Sequence, residues 1–113
     1  MAKRFPAVTY GIEEEFFLID SSTRRLRGDR TDALLTACRA RFGDRVSEEM
    51  LRAQIEIATP ILRSTDIARD TLAELRGEVG RIASRFDLKL LAASTHPFGD
   101  WQQEMHHDKP RYE

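Results

Sequence analysis

Three consecutive glutamates, Glu13-Glu14-Glu15, interrupt a segment that otherwise reads as a β-strand, and no other feature restricts the folding of this chain as much. From Ala7 to Ile19 the segment holds Val8, Tyr10, Ile12, Phe16, Phe17, Leu18 and Ile19. That enrichment in β-branched and aromatic residues favours an extended chain. Adjacent carboxylates oppose it, because they are poor strand formers and repel one another. Alternation along a strand places Glu13 and Glu15 on one face and Glu14 on the other. Two carboxylates about 7 Å apart along one face can hold a pair of hard cations. Mg²⁺ takes oxygen ligands and usually sits between carboxylates and substrate phosphates. Gly11 lies on the same face, and its missing side chain leaves room for a ligand. A solvated strand face accounts for the same residues without any ligand.

The rest of the chain alternates helices and strands. Asp20-Ser21-Ser22 is a turn signal, and Arg24-Arg25-Leu26-Arg27 suits a short return strand ended by Gly28-Asp29. Thr31 to Phe42 reads as a helix, capped by Thr31 or Asp29 and stopped at Gly43, with Leu34, Leu35, Cys38 and Phe42 as its apolar stripe. Leu51 to Thr59 reads as a second strand, with Ile55 and Ile57 facing one way and Gln54, Glu56 and Ala58 the other. Ser64 or Thr65 caps a longer helix to about Phe86, with Leu72, Leu75, Val79, Ile82 and Phe86 at three- and four-residue steps. Leu88 to Ser94 is apolar almost throughout, as a strand buried on both faces would be. Strand, helix, strand, helix, strand suits a parallel α/β sheet or a mixed α+β sheet, and the pattern does not choose between them.

Two further places could carry chemistry. If the Glu56 face is also the face of Glu13 and Glu15, three carboxylates converge on one surface fit for a metal–nucleotide complex, and Glu49 can add a fourth oxygen from the start of the second strand. For Glu56 alone, the wet side of a two-faced strand is the simpler account. Thr95-His96-Pro97-Phe98 follows the third strand, where loops often carry binding residues. His96 suits contact with a substrate, and a structural bond to backbone suits it slightly better. Trp101 reads as a packing anchor, and His106-His107 are too close together for a metal site. There is no glycine-rich phosphate loop and no zinc spacing, so a nucleotide would be held through metal and side chains.

Composition narrows the classes. A chain of 113 residues with 41% hydrophobic and 33% charged residues can bury a real core. A net charge of −1 gives no basic excess for nucleic acid, although 15 of the 18 cationic residues are Arg. No segment approaches the roughly 18 apolar residues needed to span a bilayer, so no membrane partner is expected. Cys38 is the single cysteine, which excludes an intramolecular disulfide and fits the cytoplasm. Its place in an apolar stripe marks a core residue rather than a nucleophile.

In order along the chain, Tyr10-Gly11-Ile12-Glu13-Glu14-Glu15-Phe16-Phe17-Leu18-Ile19-Asp20, Val46-Ser47-Glu48-Glu49-Met50-Leu51, Gln54-Ile55-Glu56-Ile57-Ala58-Thr59-Pro60, Leu90-Leu91-Ala92-Ala93-Ser94-Thr95-His96-Pro97-Phe98 and Asp108-Lys109-Pro110-Arg111-Tyr112 resemble the glutamate–cysteine ligase type 2 family, the carboxylate–amine ligases. The resemblance implies an α+β fold, a mixed or antiparallel curved sheet with flanking helices that forms a glutamine-synthetase-like half-funnel. It implies Mg²⁺ and ATP, with glutamate as the carboxylate substrate and cysteine or another amine as acceptor. Under it, Glu13, Glu15 and Glu56 match metal-binding carboxylates, Glu49 matches them less closely, and Thr95 and His96 match a substrate-side loop. Family members run well past the Lys-Pro-Arg-Tyr segment, so residues 1–113 are expected to be the N-terminal part of a catalytic domain, inactive as they stand. The alternative is a non-catalytic module of the same fold that dimerises or complements another chain.

Overall fold

The computed structural model describes residues 6–100, so Trp101 and the tail with His106 and His107 lie outside the described residues. Four strands and two helices follow one another: β1 (Glu13–Asp20), α1 (Thr31–Phe42), β2 (Val46–Glu48), β3 (Gln54–Ala58), α2 (Thr65–Ser84) and β4 (Leu88–Leu91). They form one open sheet in the order β2-β3-β1-β4. Every pairing is antiparallel. The fold is therefore α+β, and the parallel alternative is excluded.

The core lies between one sheet face and both helices. Phe16, Leu18, Val46, Ile55, Ile57 and Leu88 from the sheet pack with Leu34, Leu35 and Cys38 of α1 and Leu75, Val79 and Ile82 of α2. Each fully buried aliphatic side chain here contributes about 1.5–3 kcal/mol. Burial pushes the Cys38 thiol up to about 11, so it stays protonated and serves as a small apolar core residue. Ser64 caps α2, its Oγ accepting from the Ile67 N–H at 3.2 Å. Thr31 does not cap α1. Arg30 occupies that position, and the buried Thr31 hydroxyl instead donates to the Arg52 carbonyl. That bond ties α1 to the segment before β3. Gly28 lies against the same segment, where an added Cβ would sit 2.9 Å from the Arg52 Cβ.

Two expectations are corrected, and one strand is added to those expected. The first strand begins at Glu13 rather than Ala7, and Tyr10 forms an isolated bridge to Leu62. The segment Val46–Glu48 is a strand, too short to show a periodicity in sequence. Leu88 to Ser94 is not covered on both faces: β4 ends at Leu91 and forms a sheet edge, with Lys89 exposed and Leu90 and Leu91 half-buried. The turn after β1 matches its sequence signal. Asp20 Oδ1 accepts from the Ser22 and Thr23 N–H groups, both at 2.8 Å. The return segment meets β1 in an isolated bridge of Leu26 with Ile19, flanked by the Asp20 N–H donating to the Arg25 carbonyl at 2.8 Å and the Arg27 N–H donating to the Leu18 carbonyl at 2.9 Å. No helix among the described residues is long and apolar enough to cross a membrane.

A candidate acidic site on the open face of the sheet

Alternation works on β1 as the sequence implies. Glu14 turns to the helix side, where it is half-buried and held by Arg76 of α2, whose Nε donates to Oε2 at 2.7 Å and whose Nη2 donates to Oε1. Glu13 and Glu15 turn to the other face. The register sets Glu15 opposite Glu56 of β3, and Glu56 opposite Ser47 of β2. Cross-strand partners share a face and stand close, so Glu15 and Glu56 belong to one surface. Glu48 and Glu49 separate in the same way. Glu48 reaches Arg39 of α1 at 2.6 Å. Glu49 joins the acids, with its Oε1 also accepting from the Met50 N–H at 2.9 Å.

Glu15, Glu49 and Glu56 each offer an oxygen within 4.8 Å of the others. Glu13 stands outside that trio on the same face, near enough for its charge to act on Glu56. Burial pushes the Glu56 carboxyl up to about 7, helped by the charge of Glu13, a hydrogen bond with Glu49, and the charges of Glu49 and Glu15. The hydrogen bond between Glu56 and Glu49 favours the protonated form of Glu56. Crowded carboxylates that must take up a proton to coexist are a donor set suited to a hard divalent cation. Beside Gly11 the space is open, with only the Thr59 Oγ1 within 4.0 Å of an added Cβ.

Beyond Glu15 on this face, Phe17 floors a cavity of about 380 Å³, lined also by Leu26, Met50, Leu51, Thr95 and His96. Thr95 and His96 therefore stand on the acid-bearing side of the sheet. Both His96 ring nitrogens contact backbone: Nδ1 accepts from the Phe98 N–H at 3.2 Å, so Nε2 carries the proton given to the Arg24 carbonyl at 2.8 Å. Arg24 reaches that bond in the left-handed region, at φ 64°. Ser94 lines this cavity and a second one of about 340 Å³ beside Glu15. Sequence reasoning did not single out Phe17, Met50, Leu51 or Ser94, because nothing local marks an apolar residue as a cavity wall.

Residues 9–113 match the sequence profile of the glutamate–cysteine ligase family 2. Three similar proteins, each provisionally named glutamate–cysteine ligase 2, illustrate the relationship. The one from Ectopseudomonas mendocina is 44% identical over 104 residues, covering 92% of this chain and 28% of the relative. That from Paracoccus denitrificans is 44% identical over 107 residues, covering 95% and 28%. That from Rhodospirillum rubrum is 44% identical over 114 residues, covering 97% and 29%. The chain thus spans a little over a quarter of the length of the curated relatives it matches.

Proposed function

The chain belongs to the glutamate–cysteine ligase family 2, and from that premise we propose that its open sheet face is the cation-holding part of an ATP-dependent carboxylate–amine ligase. The observation that carries the proposal is the convergence of Glu15, Glu49 and Glu56 within 4.8 Å. These three would hold Mg²⁺, with Glu13 adding charge. The bound cation supplies charge neutralisation for phosphoryl transfer, where catalysis is mainly positioning and electrostatics. In the proposed reaction a glutamate side-chain carboxylate oxygen attacks the γ-phosphorus of ATP and ADP leaves. The amine of cysteine or another acceptor then attacks the acyl phosphate carbon, expelling phosphate and a proton. Thr95 and His96 form the substrate-side wall. His96, fixed through both nitrogens, shapes that wall rather than exchanging protons. The proposed setting is the cytoplasm, where the Cys38 thiol remains reduced.

Calorimetry of Mg²⁺-ATP with the 113-residue chain and with a Glu13→Gln/Glu15→Gln variant tests this reading. Binding by the wild type and its loss in the variant are expected. Equal binding by both would remove the acids from the site. Joined to the remaining portion of a relative, the chain is expected to release ADP and form a γ-glutamyl product. A second reading, a dimerising or complementing module, is favoured by the edge strands β2 and β4, since such edges pair readily with other chains. A monomer by sedimentation at high concentration would end it.

A further inference from the structure

We infer that Arg76 of α2 is a positioning residue for the acidic site: it clamps Glu14 to the helix side of β1 and so keeps Glu13 and Glu15 turned to the open face. The consequence for a cation rests on Glu15, Glu49 and Glu56 being the donor set proposed above. Arg76 Nε donates to Glu14 Oε2 at 2.7 Å, and Nη2 donates to Glu14 Oε1. The same guanidinium lies over the Phe16 ring, 5.8 Å from its centroid. Glu14 and Phe16 are two residues apart on β1 and share its helix-side face. One cation on α2 thus grips two successive side chains of that face.

This part of β1 has a strand on one side only. Glu13, Glu14 and Glu15 stand opposite Ala58, Ile57 and Glu56 of β3. The pairing with β4 stops at Phe17 against Leu91, and the Ala93 N–H turns back to the Leu91 carbonyl at 3.2 Å. No strand among the described residues covers the other flank of Glu13–Glu15. The cavity of about 340 Å³ beside Glu14 and Glu15 opens there. Three adjacent carboxylates repel one another on this half-supported segment. Glu14 meets a second cost. Its cross-strand partner Ile57 is fully buried, and a carboxylate beside the core is unfavourable unless it is paired.

Without Arg76 the Glu14 carboxylate gains by leaving the core side, and the open flank gives it a path. Side chains alternate with a period of two, so turning Glu14 outward turns Glu13 and Glu15 away from Glu49 and Glu56. A charge and a clamp then differ in sign. If Arg76 acts only as a charge, its removal leaves the face more negative, and Mg²⁺ binds more tightly. If it is a clamp, its removal scatters the donors. Mg²⁺ then binds about tenfold more weakly, the lower end of what outer-shell partners of metal ligands contribute. The Arg76 side chain is half exposed, so the ion pair adds little to global stability, and the two effects can be read apart.

The test is Mg²⁺ calorimetry on the 113-residue chain, on Arg76→Gln and on Glu14→Gln/Arg76→Gln, with amide hydrogen exchange on each. Arg76→Gln is expected to bind Mg²⁺ about tenfold more weakly. Glu14→Gln/Arg76→Gln no longer carries the carboxylate that leaves the core side, so it is expected to recover wild-type affinity. Exchange in Arg76→Gln is expected to quicken at Glu14 and Phe16, whose N–H groups turn toward β3 like that of Leu18, which donates to the Ala53 carbonyl. It is expected to stay slow at Val79 and Ile82 of α2. Equal or tighter Mg²⁺ binding by Arg76→Gln, a loss that the double variant keeps, or exchange that quickens throughout the chain would overturn the clamp. If the wild type binds no Mg²⁺, the cation reading falls, and the exchange pattern alone upholds or overturns the clamp.

Discussion

At the residue scale, Glu56 separates what sequence could and could not supply. In a free carboxyl the proton leaves near 4.5, and in the folded chain near 7. Between these values the folded state keeps a proton that the unfolded chain has released, so stability falls as pH rises through that window. Asp20, Asp29 and Glu78 are shifted the other way: Asp20 chiefly by the Thr23 and Ser22 N–H groups, Asp29 by Arg27, and Glu78 by Arg81. Their stabilisation is lost only as pH falls below the usual carboxylate range. Without divalent cations, the urea midpoint is therefore expected to be lower at pH 8 than at pH 5, and Glu56→Gln is expected to flatten most of that difference. A wild-type midpoint indifferent to pH would contradict the crowding of the acids. The opposite facing of Glu13 and Glu15 against Glu14 was legible, because alternation is local. The meeting of Glu15 with Glu56, and of Glu14 with Arg76, was not, because both depend on pairing across dozens of residues.

At the scale of elements, the helices were legible and the short strands were not. The α2 stripe of Leu75, Val79 and Ile82 follows the period of a helix with one dry side, and Ser64 caps it as its residue type suggests. Gly77 and Gly80 interrupt that helix with open space around them, since an added Cβ at either meets nothing within 4 Å. Gly77→Ala and Gly80→Ala are thus expected to stabilise the chain by about 0.5–1 kcal/mol each, read as a raised urea midpoint at unchanged slope. A loss of stability would mean that α2 needs those glycines for a close approach. The strand β4 was misjudged for a physical reason. Apolar composition reports how well a residue tolerates burial, not whether a neighbour covers it, and the uncovered flank at Ala92–Ser94 is the one that opens toward the acids.

For the whole molecule, the site exists only because the sheet is antiparallel in the order β2-β3-β1-β4. That order sets β1 beside β3 and gathers acids from two distant parts of the sequence, Glu13 and Glu15 from one and Glu49 and Glu56 from the other, on the face away from the helices. Repulsion among them costs the fold stability, and the proton on Glu56 relieves part of it. A cation would relieve the repulsion in place of the proton, and it binds only where the strands have already met. Mg²⁺ is therefore expected to raise the thermal midpoint as a ligand of the native state, by an amount that grows with the logarithm of its concentration above Kd. The rise should be larger at pH 8 than at pH 5.5, because at the lower pH the cation must first displace the Glu56 proton. Monovalent salt at equal ionic strength also screens repulsion, so it is the necessary control. A rise specific to Mg²⁺, dependent on pH and lost in Glu15→Gln, would show that the gathered acids act as one donor set. An equal rise with sodium chloride that persists in Glu15→Gln would show that the sheet gains only from screening, and that the cation belongs elsewhere.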